Sequence, residues 1–213
     1  MRILHISDCQ GDLKIFEDAC LNDSDIVIDT GDLLPNKLHD GINSGSKEED
    51  AKYQERFLYA NKHRIIRLLK DRPFIFVQGN HDWIWLDMLG YKNLFQLNNS
   101  SLVINNYKFY GFPNVPHMRQ WNNYTEDPKF GYILDNIPID TDILVTHVPP
   151  RHILDNTSHD QSGHIGISNL QERIKQTKIR LHLFGHVHES NGISIVNNVI
   201  YSNASRGHRI INV

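Results

Sequence analysis

The 213-residue chain has only two cysteines, Cys9 and Cys20, and they form no C-x-x-C pair, so neither a disulfide framework nor a thiolate zinc site organises it. A reducing, cytoplasmic compartment is the simpler expectation. No stretch approaches the ~18 consecutive apolar residues of a membrane helix, which predicts a soluble protein without a membrane partner. The opening run Met1–Asp8 is too short for the apolar region of a signal peptide, and no small-residue cleavage site follows it. Basic excess is lacking as well: 22 Lys+Arg stand against 25 Asp+Glu, a net charge of −3. With no basic stripe interleaved with aromatics, a nucleic-acid partner is not expected, and a small anionic substrate would need a local positive source. Several catalytic signatures are also missing. There is no G-x-x-x-x-G-K-[ST], no G-x-G-x-x-G after a strand, no H-E-x-x-H and no G-x-S-x-G, which removes the main support for P-loop, dinucleotide-binding, zincin and serine-hydrolase chemistry.

What the chain does have is 13 histidines and a set of short apolar, β-branched runs. The runs Arg2–Ser7, Asp25–Thr30, Phe74–Gln78, Asp142–Thr146 and Arg180–Phe184 read as strands buried on both faces. Helical stretches at Leu13–Leu21, from about Lys47 to Lys70, and at Ser168–Gln176 lie between several of them, which argues for an α/β fold. Two hairpins, Leu102–Asn105 with Tyr107–Gly111 and Ile193–Val196 with Val199–Ser202, and a last strand near Arg209–Val213 imply a mixed sheet or two packed sheets. Long polar stretches at Leu33–Ser46, Pro113–Lys129 and Pro149–Gly166 read as loops. No repeat, low-complexity tract or linker divides the chain, so one domain over residues 1–213 is expected.

The residues that follow the five strand-like runs carry the chemistry. They are Asp8-Cys9-Gln10, Gly31-Asp32, Gly79-Asn80-His81-Asp82, His147 and Gly185-His186-Val187-His188. Any one of them alone reads as a cap, turn or structural residue; five together, all just beyond apolar strands, do not. Ligands of open α/β sheets bind beyond the carboxyl ends of strands, so adjacent ends would aim these groups into one crevice. Carboxylate, amide and imidazole donors without thiolate suit Mn²⁺ first, and also Fe²⁺, Mg²⁺ or Zn²⁺. Seven or eight donors exceed one tetrahedral site and are enough for two ions ~3.5–4 Å apart sharing a carboxylate, an arrangement used in phosphoester hydrolysis.

These blocks resemble the calcineurin-like metallophosphoesterase superfamily, whose order is D-x-H, G-D, G-N-H-[DE], a lone H, and G-H-x-H. The stretches Asp142–Pro150, Leu181–Glu189 and Tyr201–Ser205 are most similar to a small branch related to class III cyclic-nucleotide phosphodiesterases. The resemblance implies a two-sheet sandwich flanked by helices and two divalent metal ions. It implies that Asp8, Gln10, Asp32 and His188 hold the first ion and Asp32, Asn80, His147 and His186 the second, with Asp32 bridging. His81 would face the scissile ester, protonating or stabilising the leaving oxygen, and Asp82 would orient its ring. One departure stands out: the family's first-block histidine is Gln10 here, a neutral amide and a weaker donor.

The implied activity is a metal-dependent phosphodiesterase acting on a small nucleotide-like phosphoester. Phosphomonoesterase activity, or a non-catalytic phosphate-binding scaffold on the same fold, are the alternatives. Asn114, His117, Arg119, Arg151, His152 and Arg206, in or beside the long loops, are the candidate substrate contacts.

Overall fold

The structure, a computed structural model, describes residues 1–36, 46–158 and 160–213. Two mixed sheets pack face to face with helices outside each. The first sheet takes β1 (Arg2–Ser7), β2 (Ile26–Asp29), β3 (Phe74–Phe76), β4 (Leu94–Gln96) and, at its other edge, a strand from the end of the chain. The second takes β5 (Ser100–Ile104), β6 (Tyr107–Phe112), β7 (Ile143–Thr146), β8 (Leu181–Phe184), β9 (Gly192–Val196) and β10 (Val199–Asn203), in the order β5-β6-β7-β8-β10-β9. The strand that closes the first sheet is β11 (Gly207–Asn212), antiparallel to β1, giving the order β11-β1-β2-β3-β4.

Alternation along the strands separates three cores. Ile3, Ile26, Ile28 and Ile75 from the first sheet meet Phe109, Ile143, Val145, Leu181 and Leu183 from the second between the sheets. Their neighbours on the opposite faces, such as Leu4 and Val27 or Leu144 and Phe184, pack under the helices. Helix α1 (Leu13–Cys20) turns Leu13, Phe16, Ala19 and Cys20 onto the first sheet, and Asp12 caps it by accepting from Lys14 N–H at 2.9 Å. Helix α2 (Lys47–Leu69) starts at the Ser46 cap, carries Glu48, Glu49 and Asp50 in its first turn, and ends where Lys70 takes the left-handed conformation. Helices α3 (Asp127–Asp135) and α4 (Leu170–Lys175) cover the second sheet through Phe130, Leu134, Leu170 and Ile174.

Each expected strand is present: β1 as read, β2, β3, β7 and β8 trimmed by one or two residues, and the hairpin strands and the last strand extended or shifted by one or two; Asn197-Asn198 turns the second hairpin with both residues at positive φ. Three expectations are corrected. The helix at Ser168–Gln176 shrinks to α4, because Asn169 is left-handed. The stretch Pro113–Lys129 is not loop throughout, since its last residues enter α3, which Pro128 helps to start. Strand β4 was not anticipated; at three half-buried residues it is too short to carry a period. Of the loop expected at Leu33–Ser46, residues 37–45 lie outside the described residues.

Parallel pairing of β1, β2 and β3 in one sheet, and of β6, β7, β8 and β10 in the other, points their carboxyl ends the same way within each sheet. Those ends hold the motif residues. No described helix is long and apolar enough to cross a membrane.

Candidate metal centre and active site

Two glycines let the strand ends close on one another. A Cβ on Gly79 would collide with the Asp32 carboxylate, and one on Gly185 with Ser7 and the Asp8 carboxylate. The loops therefore pass within carboxylate contact of each other, and Asp8, Gln10 and Asp32 all adopt positive φ to do so.

At the centre Asp8, Asp32 and His147, all buried, can bring one donor atom each within 4.8 Å of one another. Asp32 Oδ2 lies 3.4 Å from His147 Nε2, while its Oδ1 accepts the His81 N–H at 2.8 Å. Asp8 Oδ1 lies 3.2 Å from His188 Nε2, and its Oδ2 accepts from Ser7 Oγ at 2.6 Å and from the His186 N–H at 3.0 Å. His147 Nε2 is 3.0 Å from Asn80 Oδ1 and 3.2 Å from His186 Nδ1. Asp8, Asp32, Asn80, His147, His186 and His188 thus form one connected cluster. Gln10 stands at its rim, with its amide oxygen accepting from the Arg206 guanidinium at 3.0 Å.

The donor set fits a divalent cation. His147 Nδ1 faces the Thr30 carbonyl at 2.8 Å, which can only accept, so Nδ1 carries a proton and, whenever the ring is neutral, Nε2 presents its lone pair. That lone pair meets the Asn80 and Asp32 oxygens, an arrangement that needs a positive charge between them. The ionisation equilibria express the same demand. Burial disfavours a charged His147, yet the Asp32 carboxylate and then Asp8 push it up to about 10. Burial also works against the Asp8 and Asp32 carboxylates, but the His188 hydrogen bond on one and the His147 charge on the other hold both below the usual range. His186 is pushed down to about 3 by burial and by His147, which leaves it a neutral donor. The nearby Cys9 thiol is buried and pushed well up, so it brings no thiolate to the cluster.

His81 lies beside this cluster, with Nε2 3.8 Å from Asp32 Oδ2 and its ring 4.2 Å from that of Trp121. The expectation that Asp82 orients the ring is corrected. Both Asp82 oxygens serve backbone N–H groups, accepting from Asp32 at 2.6 Å, Gly79 at 2.9 Å and Leu34 at 3.0 Å. Asp82 fixes the turn that carries Asp32, and burial with the Asp32 charge raises it to about 7. The side chain on His81 Nδ1 is Asn36, itself held by Gln54 of α2. Sequence reasoning missed Asn36, Gln54 and Trp121. A glutamine on the stripe Gln54, Leu58, Ile65, Leu69 was the available signal.

A cleft of about 450 Å³ opens from Asp32, Asn80, His81, His186 and His188 toward Pro116, Met118, Ile165 and Val187. Of the candidate substrate contacts, His117 lines it, and Arg206 is at the Gln10 rim. Arg119 bonds the Tyr124 hydroxyl in an adjoining depression, and Asn114 ties Asn99 to Thr125. Arg151 and His152 line a different hollow beside α4, so the structure does not bring them to the cleft.

The calcineurin-like phosphoesterase family profile matches residues 1–190. A protein of Emericella nidulans named "Probable rhamnogalacturonate lyase C" is 31% identical over 187 residues, covering 83% of this chain and 16% of its own length. The human "Metallophosphoesterase domain-containing protein 1" is 32% identical over 118 residues, 53% of this chain and 35% of that protein. The chain thus spans about a sixth and about a third of the length of these two relatives. Among solved structures, TT1561 of Thermus thermophilus superposes with a TM-score of 0.64 at 16% identity, covering 99% of this chain and 98% of that one, a likeness of fold.

Proposed function

Because the chain belongs to the calcineurin-like phosphoesterase family, we propose that it is a metal-dependent phosphoester hydrolase, and that its substrate is a small nucleotide-like phosphodiester. The observation that carries the reading is the convergence of the Asp8, Asp32, Asn80, His147, His186 and His188 donors beside His81. In this reading Asp8, Asp32 and His188 would hold one ion, and Asp32, Asn80, His147 and His186 would hold a second. Gln10 would join the first set through the amide oxygen that accepts from Arg206, whose positive charge opposes a cation there. An oxygen and nitrogen donor set suits Mn²⁺. Divalent ions in such a site supply Lewis-acid chemistry, lowering the pKa of water and neutralising charge on phosphoryl oxygens.

The protein's own groups do the rest. Asp8 and Asp32, kept ionised by their imidazole neighbours, set the charge of the centre, and the Asp82 contacts hold Asp32 in place. His81, at the cleft wall, is placed to donate from Nε2 to the leaving oxygen. Among the described residues lining the cleft there is no Lys or Arg, while Pro116, Met118, Ile165 and Val187 give it an apolar wall. A diester monoanion with a second organic substituent fits such a wall better than a monoester dianion. Turnover of bis(p-nitrophenyl) phosphate and p-nitrophenyl phosphate tests this. Activity should vanish with EDTA, return best with Mn²⁺ and favour the diester. A faster monoester would make the protein a phosphomonoesterase, and silence on both would leave the phosphate-binding scaffold.

A further inference from the structure

Hydrogen-bond polarity can be traced from the backbone into the His81 ring. The Trp83 N–H can only donate, and it meets Gln54 Oε1 at 2.8 Å; the His81 carbonyl can only accept, and Gln54 Nε2 reaches it at 2.6 Å. These two backbone groups exclude the flipped Gln54 amide, which would set donor against donor and acceptor against acceptor. Gln54 Nε2 also donates to Asn36 Oδ1 at 3.2 Å, which turns the Asn36 Nδ2 toward His81 Nδ1. An amide NH₂ group donates and does not accept. His81 Nδ1 is therefore the acceptor, and the proton of the neutral ring sits on Nε2, the nitrogen 3.8 Å from Asp32 Oδ2.

We infer that Gln54 and Asn36 are positioning residues that hold His81 in the Nε2–H tautomer, so that the nitrogen facing the cleft keeps a proton to donate. The catalytic meaning of this relay rests on the leaving-group role given to His81 above. Neither residue touches the reacting atoms. The relay also accounts for a primary amide at a fully buried position of α2, where an apolar side chain would otherwise add to the core. The amide's desolvation is offset because Oε1 and Nε2 are both bonded. Trp121 packs on the ring whose tautomer is being set.

The tautomer is read directly from the ¹⁵N chemical shifts of His81 in protein loaded with Zn²⁺ as a diamagnetic ion. Wild type should show protonated Nε2 and bare Nδ1. Asn36→Asp reverses the last link, since a carboxylate accepts both from Gln54 and from a protonated Nδ1, and should move the proton signal to Nδ1. Gln54→Met frees Asn36 to rotate and should give a mixture of tautomers, with kcat on a poor leaving group falling ~10–100-fold, the range typical of lost orienting partners, and KM unchanged. A protonated Nδ1 in wild type, or a wild-type His81 spectrum in Gln54→Met, overturns the relay. Should Gln54→Met fail to fold, an Asn36→Asp spectrum identical to wild type overturns it equally. The shifts do not depend on turnover, so a protein with the Nε2–H ring and no phosphoesterase activity would refute the proposed function and leave the relay standing.

Discussion

His147 and His182 are both fully buried, one just beyond β7 and the other within its neighbour β8, yet they end at opposite extremes of basicity. Burial disfavours the charged form of both. His147 has the Asp32 and Asp8 carboxylates within reach and rises to about 10. His182 faces the Thr146 hydroxyl at 2.8 Å and the rings of Phe184 and Tyr201, and burial with the field of His5 holds it down at about 3. Burial alone therefore does not single out the histidine proposed as a metal ligand. The carboxylates packed against it do.

The comparison breaks most completely if those carboxylates or that imidazole are removed. Asp32→Ala and His147→Ala should each lower phosphodiester turnover by roughly 10³-fold or more, beyond the ~10²–10³-fold typical of losing a single electrostatic donor. Bound divalent metal should fall in both, while circular dichroism and thermal unfolding stay near wild type. Near-normal rates in either variant would remove the shared-carboxylate centre.

His81 differs from His147 in lying at the cleft wall, and its replacement should separate chemistry from metal binding. His81→Asn should keep metal content and slow alkyl leaving groups by ~10²–10⁴-fold, while p-nitrophenolate, which departs without a proton, suffers much less. Equal losses on both leaving groups would reassign His81 to structure.

Parallel pairing explains why the centre was legible in the sequence. Ile143 pairs with Leu181 and Val145 with Leu183, so His147 and Gly185 follow at the same level, with the Gly185 N–H donating to the His147 carbonyl at 2.9 Å. Apolar runs fix that register, and the motif residues come with it. Asp82 was misread for the opposite reason. Its partners are backbone N–H groups of Asp32, Gly79 and Leu34, which carry no residue identity to read. Asn36 and Gln54 reach His81 from 45 and 27 residues away, across a contact that no local period encodes. Arg151 and His152 looked like substrate contacts because their loop lacked periodicity, and only the turn of the chain beside α4 places them elsewhere.

His182 should have its largest effect on stability. Its folded pKa of about 3 lies below the unfolded value of 6.5, so between these the unfolded chain binds the extra proton and stability falls as pH falls. The loss is on the order of 1.4 kcal/mol per pH unit in that window. His182→Leu should remove it, making the difference between urea unfolding at pH 6.5 and 5 smaller than wild type by about 2 kcal/mol. Thr146 stays bonded to the Val148 carbonyl at 2.7 Å, so the variant leaves no new orphan hydroxyl, and His182 Nδ1 has no partner to lose. An unchanged pH slope would show that His182 is not held neutral.

Gln10 should have the smallest effect, and it tests the other edge of the centre. Where His147 is enclosed by carboxylates, the Gln10 amide oxygen is taken by the exposed Arg206, whose positive charge stands where it opposes a cation bound beside Asp8. Gln10→Ala should therefore change Mn²⁺ affinity by less than the ~10-fold lower bound for a lost orienting partner. Arg206→Ala should tighten binding slightly, and more so at low ionic strength, because an exposed charge is screened over about 10 Å at 0.1 M salt. Gln10→His should tighten it further, since imidazole is the better donor to borderline ions and has no oxygen for the guanidinium to hold. Metal titration of the three variants orders them. If Gln10→Ala instead abolished first-site binding, the amide would be a ligand in the metal-loaded protein, its oxygen using one lone pair for the ion and the other for Arg206.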